Sequence, residues 1–108
     1  MPAVMAHYTD KDGFNGVNAA PIWKFLAAQP PAPQHPPGAY FTTLGRSTPL
    51  LAQRLRIPRT KIEYVFEFTD AGDLEAIDGG RGAFIFFSRT DYLVAEARQL
   101  YAGLTDSP

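Results

Sequence analysis

Three side chains stand at the ends of short apolar runs and carry groups capable of chemistry: His7 in AHYTD, Tyr40 in GAYFTTL and Asp91 in SRTDYLV. They offer an imidazole that titrates near neutral pH, a flat phenol ring and a carboxylate. Each also has an ordinary explanation. A histidine beside apolar residues is commonly a hydrogen-bonded structural group, Tyr40 fits a core or edge aromatic, and an aspartate after Ser-Arg-Thr fits a turn. Other chemistries are poorly served. Two histidines, no cysteine and no His-x-x-x-His spacing leave no zinc site to propose. GGRG precedes a strand-like run rather than a helix and there is no Gly-x-Gly-x-x-Gly, so a Rossmann turn and a P-loop are unsupported. No Gly-x-Ser-x-Gly elbow exists, and Ser47 in GRST reads as a helix cap.

The elements that must position these groups are short. AVMAHY predicts a first strand, and Asp10 an N-cap for a helix over KDGFNGVN. IWKFLA is long enough for either strand or helix. GAYFTT predicts a strand bounded by Gly38. Ser47 or Thr48 can cap PLLAQRL, with Pro49 at the first helical position and Pro58 as the stop. KIEYVFEF alternates with period two: Ile62, Tyr64, Phe66 and Phe68 share one face, Glu63, Val65 and Glu67 the other, as in a half-buried strand. GAFIFF predicts a strand covered on both faces, and DYLVAEA follows so closely that a tight hairpin or a bulged strand is expected. AAQPPAPQHPPG, residues 27–38, holds five prolines and His35; it is expected to be a stiff surface loop. With about five to seven strands, two or three short helices, and helices early in the chain, the fold class expected is α+β.

Bulk properties bound the function. The chain has 108 residues, enough for a single domain spanning 1–108, and a net charge of −1 that gives no basic field for sequence-independent nucleic-acid binding. Lack of cysteine removes thiol chemistry and disulfides. No signal peptide or membrane span is expected from the N-terminus or any apolar run.

The order of the three segments resembles the ADP-ribosyltransferase superfamily. AHYT followed by DGFNGV is similar to its first motif, a strand ending in histidine with a hydroxyl residue two places on and a helix ending in Gly-Val. GAYFTTL resembles the second, Gly-x-Tyr-Phe, found in poly(ADP-ribose) polymerases and diphtheria-toxin-like enzymes. TDYLV resembles the third, an acidic residue followed by Tyr and a β-branched or Leu pair. A His-Tyr-Asp set over a domain this small is similar to a branch found among bacterial polymorphic toxins.

The resemblance implies a compact fold of two packed sheets around an NAD cleft, with NAD as co-substrate. His7 would then bond the adenine-side ribose, the Tyr8 backbone and Thr9 hydroxyl would hold the nicotinamide amide, and Tyr40 would stack on the nicotinamide ring. Asp91 would bond the nicotinamide ribose and stabilise the oxocarbenium-like transition state. Asp91 is one methylene shorter than the usual Glu, and Arg89 occupies the place where arginine-specific relatives carry a second acid. Asp78 and Asp73 are the next acidic candidates. The basic cluster Arg46, Arg54, Arg56, Arg59 and Lys61 reads either as a solvated face or as a site for pyrophosphate or an anionic acceptor such as RNA. Arg46, with Thr48 beside it, is the residue chosen for the cofactor, because the loop after the second motif lies near NAD in similar enzymes. The proline-rich loop is a candidate lid. The expected partners are NAD, a protein or RNA acceptor and, by analogy with such toxins, an immunity (antitoxin) protein. The chain is expected to be monomeric and to act in the cytoplasm, or in that of a target cell reached through a specialised secretion system. NAD glycohydrolase activity, or a catalytically inactive nucleotide- or protein-binding module of the same fold, are the alternatives.

Overall fold

Strand β1 (Val4–Thr9) takes the central course of the molecule because its alternation lets Met5 and His7 face one side while Ala6 and Tyr8 face the other. In this computed structural model residues 3–27, 38–55, 58–76 and 85–105 are described. Most of the proline-rich run, with His35, and also Asp78 and Arg56, lie outside them. Asp10 caps helix α1 (Lys11–Asn18) as expected, accepting from Gly13 N–H at 2.9 Å. The ambiguous IWKFLA segment resolves as strand β2 (Trp23–Phe25) and GAYFTT as β3 (Ala39–Thr42).

Helix α2 (Leu51–Leu55) begins later than its proline suggests. Pro49 is not its first residue; a turn intervenes in which Leu50 adopts φ 55°, a left-handed conformation that costs a side-chain-bearing residue about 1 kcal/mol or more. After a 3₁₀ turn at Arg59–Ile62 comes β4 (Tyr64–Thr69), then β5 (Glu75–Ala76), β6 (Ile85–Ser88), β7 (Tyr92–Val94) and β8 (Gln99–Leu104), a second 3₁₀ turn preceding the last.

The architecture is α+β, with antiparallel pairing throughout the described residues. One sheet has the order β5-β6-β3-β1-β4-β8; β2 and β7 form a two-stranded ribbon. The hairpin expected from β6 into β7 is absent. The chain instead leaves the large sheet at Ser88 and enters the ribbon at Tyr92. The core lies between the layers: Met5, Phe41, Phe66 and Phe68 from the large sheet meet Trp23, Phe25, Tyr92 and Val94 from the ribbon. Phe25 sits edge-on to Phe41 at 5.2 Å and Phe66 at 5.6 Å, the orientation that aromatic quadrupoles favour. Phe14 of α1 closes one end, stacked on Tyr64 at 4.7 Å and on Phe66 at 5.1 Å.

KIEYVFEF is buried more completely than a half-buried strand. Val65 and Glu67, on the face away from Phe66 and Phe68, are also buried, Glu67 at 7% exposure. A carboxylate in that position needs a partner. It finds one in Arg46.

Candidate functional site

Strands β1 and β3 pair with Ala6 opposite Thr42, and a side chain adds a further bond between them. His7 reaches across, its Nδ1 lying 2.9 Å from the Tyr40 carbonyl oxygen. A carbonyl can only accept, so Nδ1 carries the proton and Nε2 presents a lone pair. The ring packs 4.7 Å from Phe25 and 5.7 Å from Phe41. Burial among these rings pushes the His7 pKa below its ordinary value, and the bond to the Tyr40 carbonyl opposes that only in part. His7 is therefore a neutral imidazole of defined tautomer. Among the described residues Nε2 has no hydrogen-bond partner.

A cavity of about 450 Å³ opens beside it, lined by His7 and Thr9 of β1, Gly13, Gly16 and Val17 of α1, and Lys24, Phe25 and Leu26 of the β2 segment. Two glycines shape the helical wall differently. At Gly13 an added Cβ would lie 2.0 Å from Thr9 Oγ1, so the bare backbone lets the threonine hydroxyl sit against the helix. At Gly16 an added Cβ would meet nothing within 4 Å. Glycine in a helix interior costs about 1 kcal/mol relative to alanine. Here its missing side chain leaves space on the cavity side.

Asp91 stands at the entrance to β7, one residue beyond the Phe25↔Tyr92 register, and so across the ribbon from Leu26. Its Oδ1 accepts from Ala27 N–H at 2.8 Å, and its Oδ2 lies 3.8 Å from Nζ of Lys24. The cavity thus holds His7 and Thr9, and Asp91, which is not among its lining residues, is linked to its wall through Lys24.

Tyr40 is not gathered with them. Its ring stacks on Phe87 at 5.5 Å with 15° between planes, whereas the adjacent Phe41 ring points into the core beside His7. The two faces of β3 separate them, so Tyr40 serves the opening through its carbonyl and not its ring. Tyr8 also turns away. Its hydroxyl donates to Leu44 O at 2.7 Å, while its main chain pairs with Val65; burial first, and then the nearby Glu67 charge, raise the phenol pKa.

Arg46 lies on that same far face. It forms an ion pair with Glu67, its own N–H donates to Glu67 Oε2 at 3.2 Å, and its guanidinium lies 3.9 Å above the Tyr101 ring. Thr48 sits in the adjoining turn, donating its N–H to Gly45 O at 3.1 Å. Neither lines the cavity. The alternative acid Asp73 accepts the Tyr92 hydroxyl at 2.6 Å, and Arg98 donates to that same hydroxyl at 2.8 Å. Lys24, Phe25 and Leu26 are the cavity residues that lie in none of the three motifs; the signal available was a lysine between two inward aromatics, Trp23 and Phe25, which period two places on the outer face.

Comparisons with protein-family models, with curated proteins and with solved structures find no match for this chain.

Proposed function

We propose that the protein binds NAD in the His7 cavity and acts as an ADP-ribosyltransferase, as a toxin or effector domain that transfers ADP-ribose to a macromolecule and releases nicotinamide. One observation carries the reading. A neutral histidine, held by a main-chain carbonyl with its other nitrogen open, shares one cavity with the Thr9 hydroxyl, and the Asp91 carboxylate is held by Ala27 N–H beside Lys24 of the cavity wall.

In this reading His7 Nε2 accepts from a ribose hydroxyl and the Thr9 hydroxyl bonds a second polar group. The nicotinamide–ribose bond breaks with its electron pair leaving on the pyridine nitrogen. Positive charge develops on the ribose ring, where the Asp91 carboxylate stabilises it. An acceptor nucleophile then bonds to the anomeric carbon and loses its proton to solvent. The Ala27 N–H supports this role by holding Asp91 before the ligand arrives, which removes an ordering cost from the transition state. Phe25 and Leu26, in place of Tyr40, supply the apolar wall for the flat ring.

A second reading has its own support: the same cavity used for nucleotide binding without turnover. Asp91 is already engaged by Ala27 and Lys24, and the Tyr40 ring lies on the other face of the sheet. Incubation with NAD and a cell lysate separates the readings. Nicotinamide release together with a labelled macromolecule, both lost in Asp91→Ala and His7→Ala, is expected. Release without label identifies a glycohydrolase, and binding without release identifies the module.

A further inference from the structure

We propose that Lys24 is the anion-holding residue of the cavity, making the site selective for phosphate-bearing nucleotides over the corresponding nucleosides. The inference rests on the nucleotide reading above and adds to it the group that recognises the charge. A dinucleotide brings a pyrophosphate that needs a cation. Arg46, the residue that the sequence suggests, is spent on the buried Glu67 across the sheet. Among the described residues that line the cavity, Lys24 is the one that carries a charge.

Its present partner does not compete strongly. Lys24 Nζ lies 3.8 Å from Asp91 Oδ2, beyond hydrogen-bond reach, with side chains 59% and 44% exposed. Exposed pairs of that kind contribute little. A phosphate offers several acceptor oxygens for shorter, charge-assisted bonds to an ammonium. Asp91 keeps its place when Lys24 turns to the ligand, because Ala27 N–H holds the other oxygen at 2.8 Å. Recognition of the phosphate and positioning of the carboxylate are therefore separable tasks, performed by neighbouring groups on one ribbon.

The test is calorimetry at low salt with three probes, ADP-ribose, adenosine and inorganic pyrophosphate, on the wild-type chain, Lys24→Met and Lys24→Arg. Wild type is expected to bind ADP-ribose about tenfold more tightly than adenosine. Lys24→Met should erase that difference while leaving adenosine affinity unchanged, and Lys24→Arg should restore it. Pyrophosphate should displace ADP-ribose from wild type and not from Lys24→Met. A Lys24→Met protein that keeps the tenfold preference, or that loses affinity for both nucleotides equally, overturns the proposal and leaves the nucleotide reading standing. A wild-type protein that binds none of the probes overturns both. Superimposable thermal melts of the three proteins exclude misfolding as the cause, since Lys24 is on the exposed face of β2.

Discussion

The two faces of the large sheet treat their polar groups in opposite ways. On the face toward α1 and the ribbon, His7 keeps a nitrogen open, Thr9 lies against a glycine, and Lys24 is held only loosely, 3.8 Å from Asp91. On the other face Glu67, Arg46, Tyr101, Tyr8 and Leu44 close on one another through an ion pair, a guanidinium–ring contact and a main-chain bond. A satisfied polar cluster stabilises a fold and has nothing left to offer a ligand; an incompletely satisfied one beside a cavity is where binding can yield free energy. The sequence shows both clusters as scattered charged and aromatic residues. Only their pairing tells them apart.

Substitutions should split along that line. The largest effect belongs to Asp91→Ala, expected to lower nicotinamide release by roughly 10²–10³ with an unchanged unfolding midpoint; an equal loss of stability would make Asp91 a strut for Ala27 instead. Next comes Glu67→Ala, which takes the buried carboxylate away from the Arg46 guanidinium. Urea denaturation should show a loss of about 3 kcal/mol, with ADP-ribose affinity of the folded protein preserved. If affinity falls in parallel, the two faces are coupled and the contrast fails.

A smaller effect follows pH. Because burial lowers the His7 pKa, the unfolded chain takes up the proton first as pH falls below the ordinary value of 6.5. Stability from this group is full above that value and declines on acidification until His7 itself is protonated in the fold, at a slope of up to about 1.4 kcal/mol per pH unit. His7→Phe, with an aromatic ring in place of the imidazole, should remove that component from melts recorded between pH 7 and 5. The smallest change is a gain: Gly16→Ala should raise stability by about 0.5–1 kcal/mol. Its methyl projects into open space by the cavity, so nucleotide affinity should fall in the same protein.

Much of the first half of the chain was legible. The Asp10 cap and α1 follow from a local rule that tertiary packing had no reason to override. The positions of β1, β3 and β4 follow from their alternation and aromatic content. What failed was nonlocal. β8 was missed because QLYAGL has neither β-branched residues nor an alternating pattern; it forms because β4 offers an edge, with a register shift between Glu67 and Phe68. Close spacing suggested that β6 and β7 form a hairpin, yet β6 lies between its sequence neighbour β5 and the distant β3, and β7 pairs with β2, far back in the sequence. Glu67 looked solvated because its burial depends on an arginine 21 residues away. Of the candidate site residues, His7 and Thr9 line the cavity, while Asp91 lies just before β7 and pairs with Lys24 of the cavity wall. Tyr40 was misplaced by one face, a distinction that a motif cannot carry without the partner strand's register.

The short link from Ser88 to Tyr92 has a mechanical consequence. Three residues, Arg89 to Asp91, span the two layers, so the ribbon cannot tilt on the sheet without swinging the acid at the end of that tether. Width of the opening and placement of the negative charge thereby become a single coordinate, and a ligand that spreads the layers also re-aims the group that would act on it.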